Sequence, residues 1–169
     1  YGMSIIDCNF TGCNLQRAEL AGARLTYANL RQADLMNANL LGANLREANL
    51  EQAKLSGAKL KLTYLQSADF SNADLSKADL RRAYMRDANL IGANLEKADL
   101  SGADLRQANL LLSKLIGANF TNTNLEGVLL DENQVNCLRK ECDLKDTWVY
   151  VFNTKKIMNY QSYCEENKL

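Results

Sequence analysis

The side chains that could do chemistry are few, and their spacing does not suit it. The 169-residue chain has five cysteines and no histidine. Without histidine there is no imidazole base for a nucleophilic triad and no imidazole metal ligand. Cys8 and Cys13 come early; Cys137, Cys142 and Cys164 come late. Cys137-x4-Cys142 followed by Cys164 does not match a zinc-knuckle pattern, and no metal or other cofactor is expected. The odd count fits reduced thiols in a cytoplasmic protein better than a secreted disulfide scaffold. A Cys142–Cys164 or Cys137–Cys164 bridge stays open, because connectivity cannot be read from spacing. There is no glycine-rich phosphate loop. Asp and Asn are abundant, but they recur on a fixed period that has a structural explanation. The chain is therefore not expected to be an enzyme.

That period defines the elements. Every residue number divisible by five from Ile5 to Leu130, 26 positions in a row, is large and apolar. Most are Leu; Phe10, Phe70, Met85 and Phe120 are among the exceptions. Two residues before each is a small one, Ala from Ala18 to Ala58 and from Ala68 to Ala108. Cys8 and Cys13 fall in this small position and are expected to be inert interior residues. Between small and large lies Asn or Asp most often, and eight of the nine glycines fall two residues after the large one. A five-residue period gives no stripe on an α-helix and no constant face on a flat strand. It fits a chain that turns about 90° every five residues, so that about twenty residues close one square coil. Coils would stack at about 4.8 Å, with Leu and Ala inside. The glycine phase marks the corners, where permissive dihedrals are favoured. The expected fold is an all-β solenoid. Residues 3–130 form the repeats, and 131–169 form a small mixed α/β C-terminal cap.

The run A(N/D)LxxA(N/D)Lxx, as in ANLLGANLREANL at 38–50, resembles the pentapeptide-repeat proteins. The resemblance covers residues 3–130. It implies a right-handed quadrilateral β-helix and does not fix a function. Some relatives resemble DNA and protect gyrase, and some are secreted bacterial effectors.

Twenty-residue coils sort exposed residues into columns. One face brings together Tyr64 and Tyr84, with Tyr27, Arg46, Arg86 and Arg106 alongside, as a candidate interaction face rich in Tyr and Arg anchors. The bland reading of the same residues is a solvated ladder of packed neighbours. Outward apolar residues gather late, at Ile91, Leu111, Leu112, Ile116 and Leu129. In the tail, Asp131 reads as a helix N-cap with Gln134 three residues on. Residues 147–152 read as a strand, 156–158 as its return, and Asn159 as the start of a last short helix. Trp148, Val149 and Phe152 are expected to pack on the last coil or on the Ile91/Leu111/Leu112 patch. The rival arrangement is a tail-to-tail homodimer in place of a monomer.

Lys plus Arg and Asp plus Glu are both 20, so the chain is formally neutral. That argues against direct nucleic-acid binding and against an acidic mimic of DNA. No apolar run is long enough to span a membrane. The chain opens Tyr1-Gly2-Met3, which leaves room for a targeting sequence upstream. The leading expectation is a non-enzymatic scaffold or protein-interaction module with an unidentified protein partner. The alternatives are a DNA-mimicking gyrase inhibitor or protector and the repeat domain of a secreted effector.

Overall fold

The computed structural model describes residues 7–138, 148–151 and 156–159, the last two segments by their backbone. Within the repeats, each five-residue unit is one tight turn and one bridging residue. The turn at Leu20 is representative. The Ala23 N–H donates to the Leu20 carbonyl at 3.0 Å, and the third residue, Gly22, has φ +65°. A closed turn with positive φ at its third position is type II. Non-glycine residues take the same conformation at other corners, including Tyr27 at φ 60° and Leu62 at φ 58°. For an L-residue this costs roughly 1–2 kcal/mol. The corner N–H offsets part of that cost by bonding the next coil, as Tyr27 does to the Arg46 carbonyl at 3.0 Å.

Every isolated bridge joins a residue to the one twenty further on, in parallel: Asn29 to Asn49, Tyr64 to Tyr84, Asp79 to Asp99. Main-chain bonds run both ways at each bridge, for example Leu25 N–H to the Asn44 carbonyl (2.7 Å) and Asn44 N–H to the Ala23 carbonyl (2.8 Å). The chain is thus a pile of twenty-residue coils made of turns.

This corrects the expected all-β solenoid. No extended strand or sheet runs through residues 7–128; they are turns separated by single-residue bridges. The physical reason is the five-residue period itself. A corner uses two residues of each unit, and the small and large residues hydrogen-bond into the turns on either side. One residue per side is left to pair, too few for a strand. The one sheet among the described residues lies at the C-terminal end. It has β1 (Leu129–Asp131), β2 (Trp148–Val151) and β3 (Lys156–Asn159) in that order. β1 pairs with β2 in parallel, Leu129 opposite Trp148, and β2 pairs with β3 antiparallel.

The core is the interior of the pile. From Ala23 to Leu110 the small and large positions are almost wholly excluded from solvent, Phe70 and Met85 among them. Thr63 replaces Ala at one small position; it is buried, and its Oγ1 donates to the Leu40 carbonyl at 3.0 Å. Cys13 is exposed and Cys8 half-buried, which corrects their reading as interior residues. Among the described residues, no coil stacks on their side of the first one.

At the other end, α1 (Glu132–Leu138) follows β1 directly. Asp131 Oδ1 accepts the N–H groups of Asn133 and Gln134, and Gln134 Oε1 accepts the Asp131 N–H at 2.8 Å. This reciprocal capping box satisfies donors that a helix start leaves open. Gln134 Nε2 also donates to the Leu110 carbonyl and to the carbonyl and hydroxyl oxygens of Ser113. With Val135 and Leu138 buried, the helix covers one side of the last coil. The last short helix expected after Asn159 lies outside the described residues.

Candidate interaction face

The bridging position explains itself wherever it holds Asn or Asp. There the side-chain oxygen accepts the N–H two residues on, as Asn44 does from Arg46 (3.2 Å) and Asp104 from Arg106 (3.3 Å). This Asx turn shapes the corner that follows. A tyrosine has no acceptor within reach of that N–H. Tyr64 and Tyr84 therefore depart from what the local backbone favours, on two successive coils.

They lie mid-pile, bridged to each other, with Asn44 bridged to Tyr64 and Tyr84 to Asp104. Their rings stack with centroids 5.0 Å apart and 10° between planes. Tyr64 is 37% exposed and Tyr84 39%. The Arg46 guanidinium sits over the Tyr64 ring, 4.5 Å from its centre. Each such contact is worth roughly 0.5–1.5 kcal/mol. The cluster is a small, flat, ordered aromatic surface, backed by the buried Leu65 and Met85.

Two corners frame it. On the Arg46 side the corner column continues through Gln66, Arg86 and Arg106. Arg86 pairs with Asp87 (3.4 Å), and Arg106 grips Asp104 with two bonds, Nε to Oδ1 at 2.8 Å and an outer nitrogen to Oδ2 at 2.7 Å. That grip holds the Asp104 carboxyl below the usual range and the guanidinium above its own. The Gln66 Oε1 atom is buried with no hydrogen-bond partner. Tyr27 lies on the same corner, 51% exposed. The Glu47 carboxylate one coil on pushes its phenol above the ordinary value, chiefly by hydrogen bonding and then by charge. On the opposite corner stand Lys61, Arg81 and Arg82. Arg81 is bound to Asp79 at 2.7 Å. Among the described residues, Lys61, Arg82, Arg24 and Arg46 make no ion pair.

The structure therefore brings Tyr64, Tyr84 and Arg46 into contact. Arg86, Arg106 and Tyr27 lie along the adjoining corner, each engaged with a carboxylate. The Lys61/Arg82 edge was missed in the sequence reading. Its signal was available: residues 61 and 82 flank positions 64 and 84 once the twenty-residue column is drawn.

The late apolar positions lie elsewhere. Ile91 and Leu111 are half-buried, whereas Leu112 is 60% exposed and Ile116 68%. The Leu112 N–H donates to Asp131 Oδ2 at 3.1 Å. Leu112 and Ile116 line a cleft of about 510 Å³ with Leu115, Gln134 and Cys137. Trp148 enters β2 opposite Leu129, on the last coil. Phe152, Cys142 and Cys164 lie outside the described residues. Among the described residues, no group of three His, Cys, Asp or Glu side chains could hold a metal ion, and no helix is long and apolar enough to cross a membrane.

Comparison with known proteins gives this architecture a family. The family model described as pentapeptide repeats matches in eight copies, over residues 5–42, 43–82, 63–102 and 94–131. No curated protein matches the chain in sequence. Among solved structures, the chain is similar to HetL from the cyanobacterium Nostoc, a pentapeptide-repeat protein involved in heterocyst differentiation regulation. The identity is 28% over 77% of this chain and 69% of that one, with a TM-score of 0.52. It is also similar to alr5209 from Nostoc, at 38% identity over 50% of this chain and 70% of that one, with a TM-score of 0.29. A third similar structure is AT2G44920 from the Arabidopsis thaliana thylakoid lumen, at 27% identity over 90% and 83%, with a TM-score of 0.29. The repeat model spans most of the sequence, and the chain belongs to the pentapeptide-repeat family.

Proposed function

We propose that the chain is a protein-interaction module whose docking face is the side built around Tyr64 and Tyr84. The observation that carries this is the stacked, part-exposed tyrosine pair with Arg46 over one ring. Tyr and Arg offer large contact area at low entropy cost and dominate binding energy at protein interfaces. The pair stands where the repeat favours Asn or Asp, so the turn that follows does not call for it. The pile of coils holds the face rigidly, and the five cysteines fit reduced thiols in a cytoplasmic setting. A formal charge of zero does not supply the dense negative charge that mimicry of duplex DNA requires.

The test is a pull-down from lysate of the protein's own source, with wild type beside a Tyr64→Asn/Tyr84→Asn variant and mass spectrometry as readout. The expected result is a protein recovered with wild type and lost with the variant. Equal recovery of the same proteins by both baits would remove the face from consideration.

A further inference from the structure

We infer that this face takes an acidic peptide segment of its partner, laid across the tyrosine pair with carboxylates reaching the basic corners on either side. The inference rests on the docking face proposed above and adds the chemistry of its occupant.

The chain is neutral as a whole, but between residues 21 and 107 this side and its two corners hold seven basic residues against three acidic ones, Glu47, Asp87 and Asp104, with Arg81 among the seven bound to Asp79 on the next side. Asp87 and Asp104 are already occupied by Arg86 and Arg106. Lys61 already bears on Asp79 by charge; Arg82 on the same corner, and Arg46 and Arg24 toward the other, have no ion pair among the described residues and are left to meet charge from outside. Carboxylates presented to a strip with cations at both edges gain on both sides, and guanidinium groups bind them with directed hydrogen bonds.

The ring geometry favours a peptide over a nucleic acid, the other anion that aromatic and basic groups bind. The two rings stack on each other at 5.0 Å, so no base can insert between them. Glu47, on the same side and without an ion pair among the described residues, repels a continuous phosphate backbone, whereas a peptide's spaced carboxylates can avoid it. Gln66, on the corner between Arg46 and Arg86, has a carbonyl oxygen without a donor. Once its amide turns outward, that oxygen can accept a main-chain N–H of the peptide. The flat tyrosine surface then takes an apolar or aromatic side chain between the carboxylates.

The experiment uses fluorescence anisotropy of a labelled glutamate–tyrosine copolymer titrated with the full chain. Wild type is compared with Arg46→Glu/Arg82→Glu, with Tyr64→Asn/Tyr84→Asn, and with Lys54→Glu/Lys97→Glu on other sides of the pile. Circular dichroism melts establish that each variant is folded. The expected result is salt-sensitive binding, weakened about tenfold or more by each of the first two pairs and little changed by the third. Equal weakening by all three pairs would show general charge attraction and overturn the inference. Tighter binding of labelled oligo(dT) than of the copolymer would overturn it in favour of a nucleic acid. No copolymer binding, with a pull-down partner still lost in the tyrosine variant, would overturn the acidic occupant and leave the face standing. No copolymer binding and no tyrosine-dependent partner would remove both.

Discussion

Two neighbouring columns of the pile obey opposite rules. Leu25, Leu45, Leu65, Met85 and Leu105 all point inward and are buried, and their chemistry hardly varies. One residue earlier, Arg24, Asn44, Tyr64, Tyr84 and Asp104 point outward, and almost every coil differs. The inner column must interlock with the coils above and below, so a misfit there is felt by its neighbours. The outer column answers only to a local preference for Asn or Asp, which the coil can forgo. Repetition therefore holds the register, and departures from repetition are where binding chemistry can be written.

The inner column should be the more sensitive of the two. Leu75→Ala should destabilise the protein by about 2–5 kcal/mol. Ala73→Leu should cost about 1–3 kcal/mol by overfilling the same interior. Denaturant titration reads both, and an unchanged midpoint for either would show that those side chains do not face inward. A smaller effect is expected outside. Tyr64→Asn/Tyr84→Asn loses a ring stack worth roughly 0.5–1.5 kcal/mol and regains side-chain acceptors for the N–H groups of Gln66 and Arg86, worth about as much each. Its thermal midpoint should stay near wild type. A fall as large as that of Leu75→Ala would make the tyrosines structural and sink the separation of columns.

The smallest expected effect is electrostatic. Asp79 and Asp104 are held below the ordinary carboxylate value, chiefly by side-chain hydrogen bonds from Arg81 and Arg106. A depressed carboxylate adds stability above its unfolded pKa, and that contribution disappears as the pH falls through the folded value. Melting temperature should therefore decline below about pH 4, and Asp79→Asn/Asp104→Asn should flatten part of the decline. Both pairs sit at the surface, so the difference should be small and should shrink in high salt. Superimposable pH profiles at low salt would show that the pairs contribute nothing.

The five-residue spacing was enough to place every interior Leu and Ala from residue 23 to 110 and to group Tyr64 with Tyr84. It did not reveal that the coils lack strands. Spacing counts residues per turn, whereas strand character depends on how many consecutive residues pair, and here the corners leave one. Nor did it place Cys13, because burial in the interior requires coils on both sides. The Asp131–Gln134 capping box was legible as a local pattern. The additional bonds from Gln134 to Leu110 and Ser113 were not, since they connect a helix to a coil more than twenty residues earlier. Arg46 over Tyr64 joins residues eighteen apart, visible only after the columns are laid out.

The bonds between coils have a mechanical consequence. Every coil is tied to the next through contacts about twenty residues apart along the chain, however many coils there are. A pull on one end loads only the outermost coil, because among the described residues nothing anchors it to coils further in. Under tension the chain should come away like rope from a drum, one winding per rupture. Each event would turn a layer about 4.8 Å thick into about 66–72 Å of extended chain, giving a regular staircase of nearly equal steps.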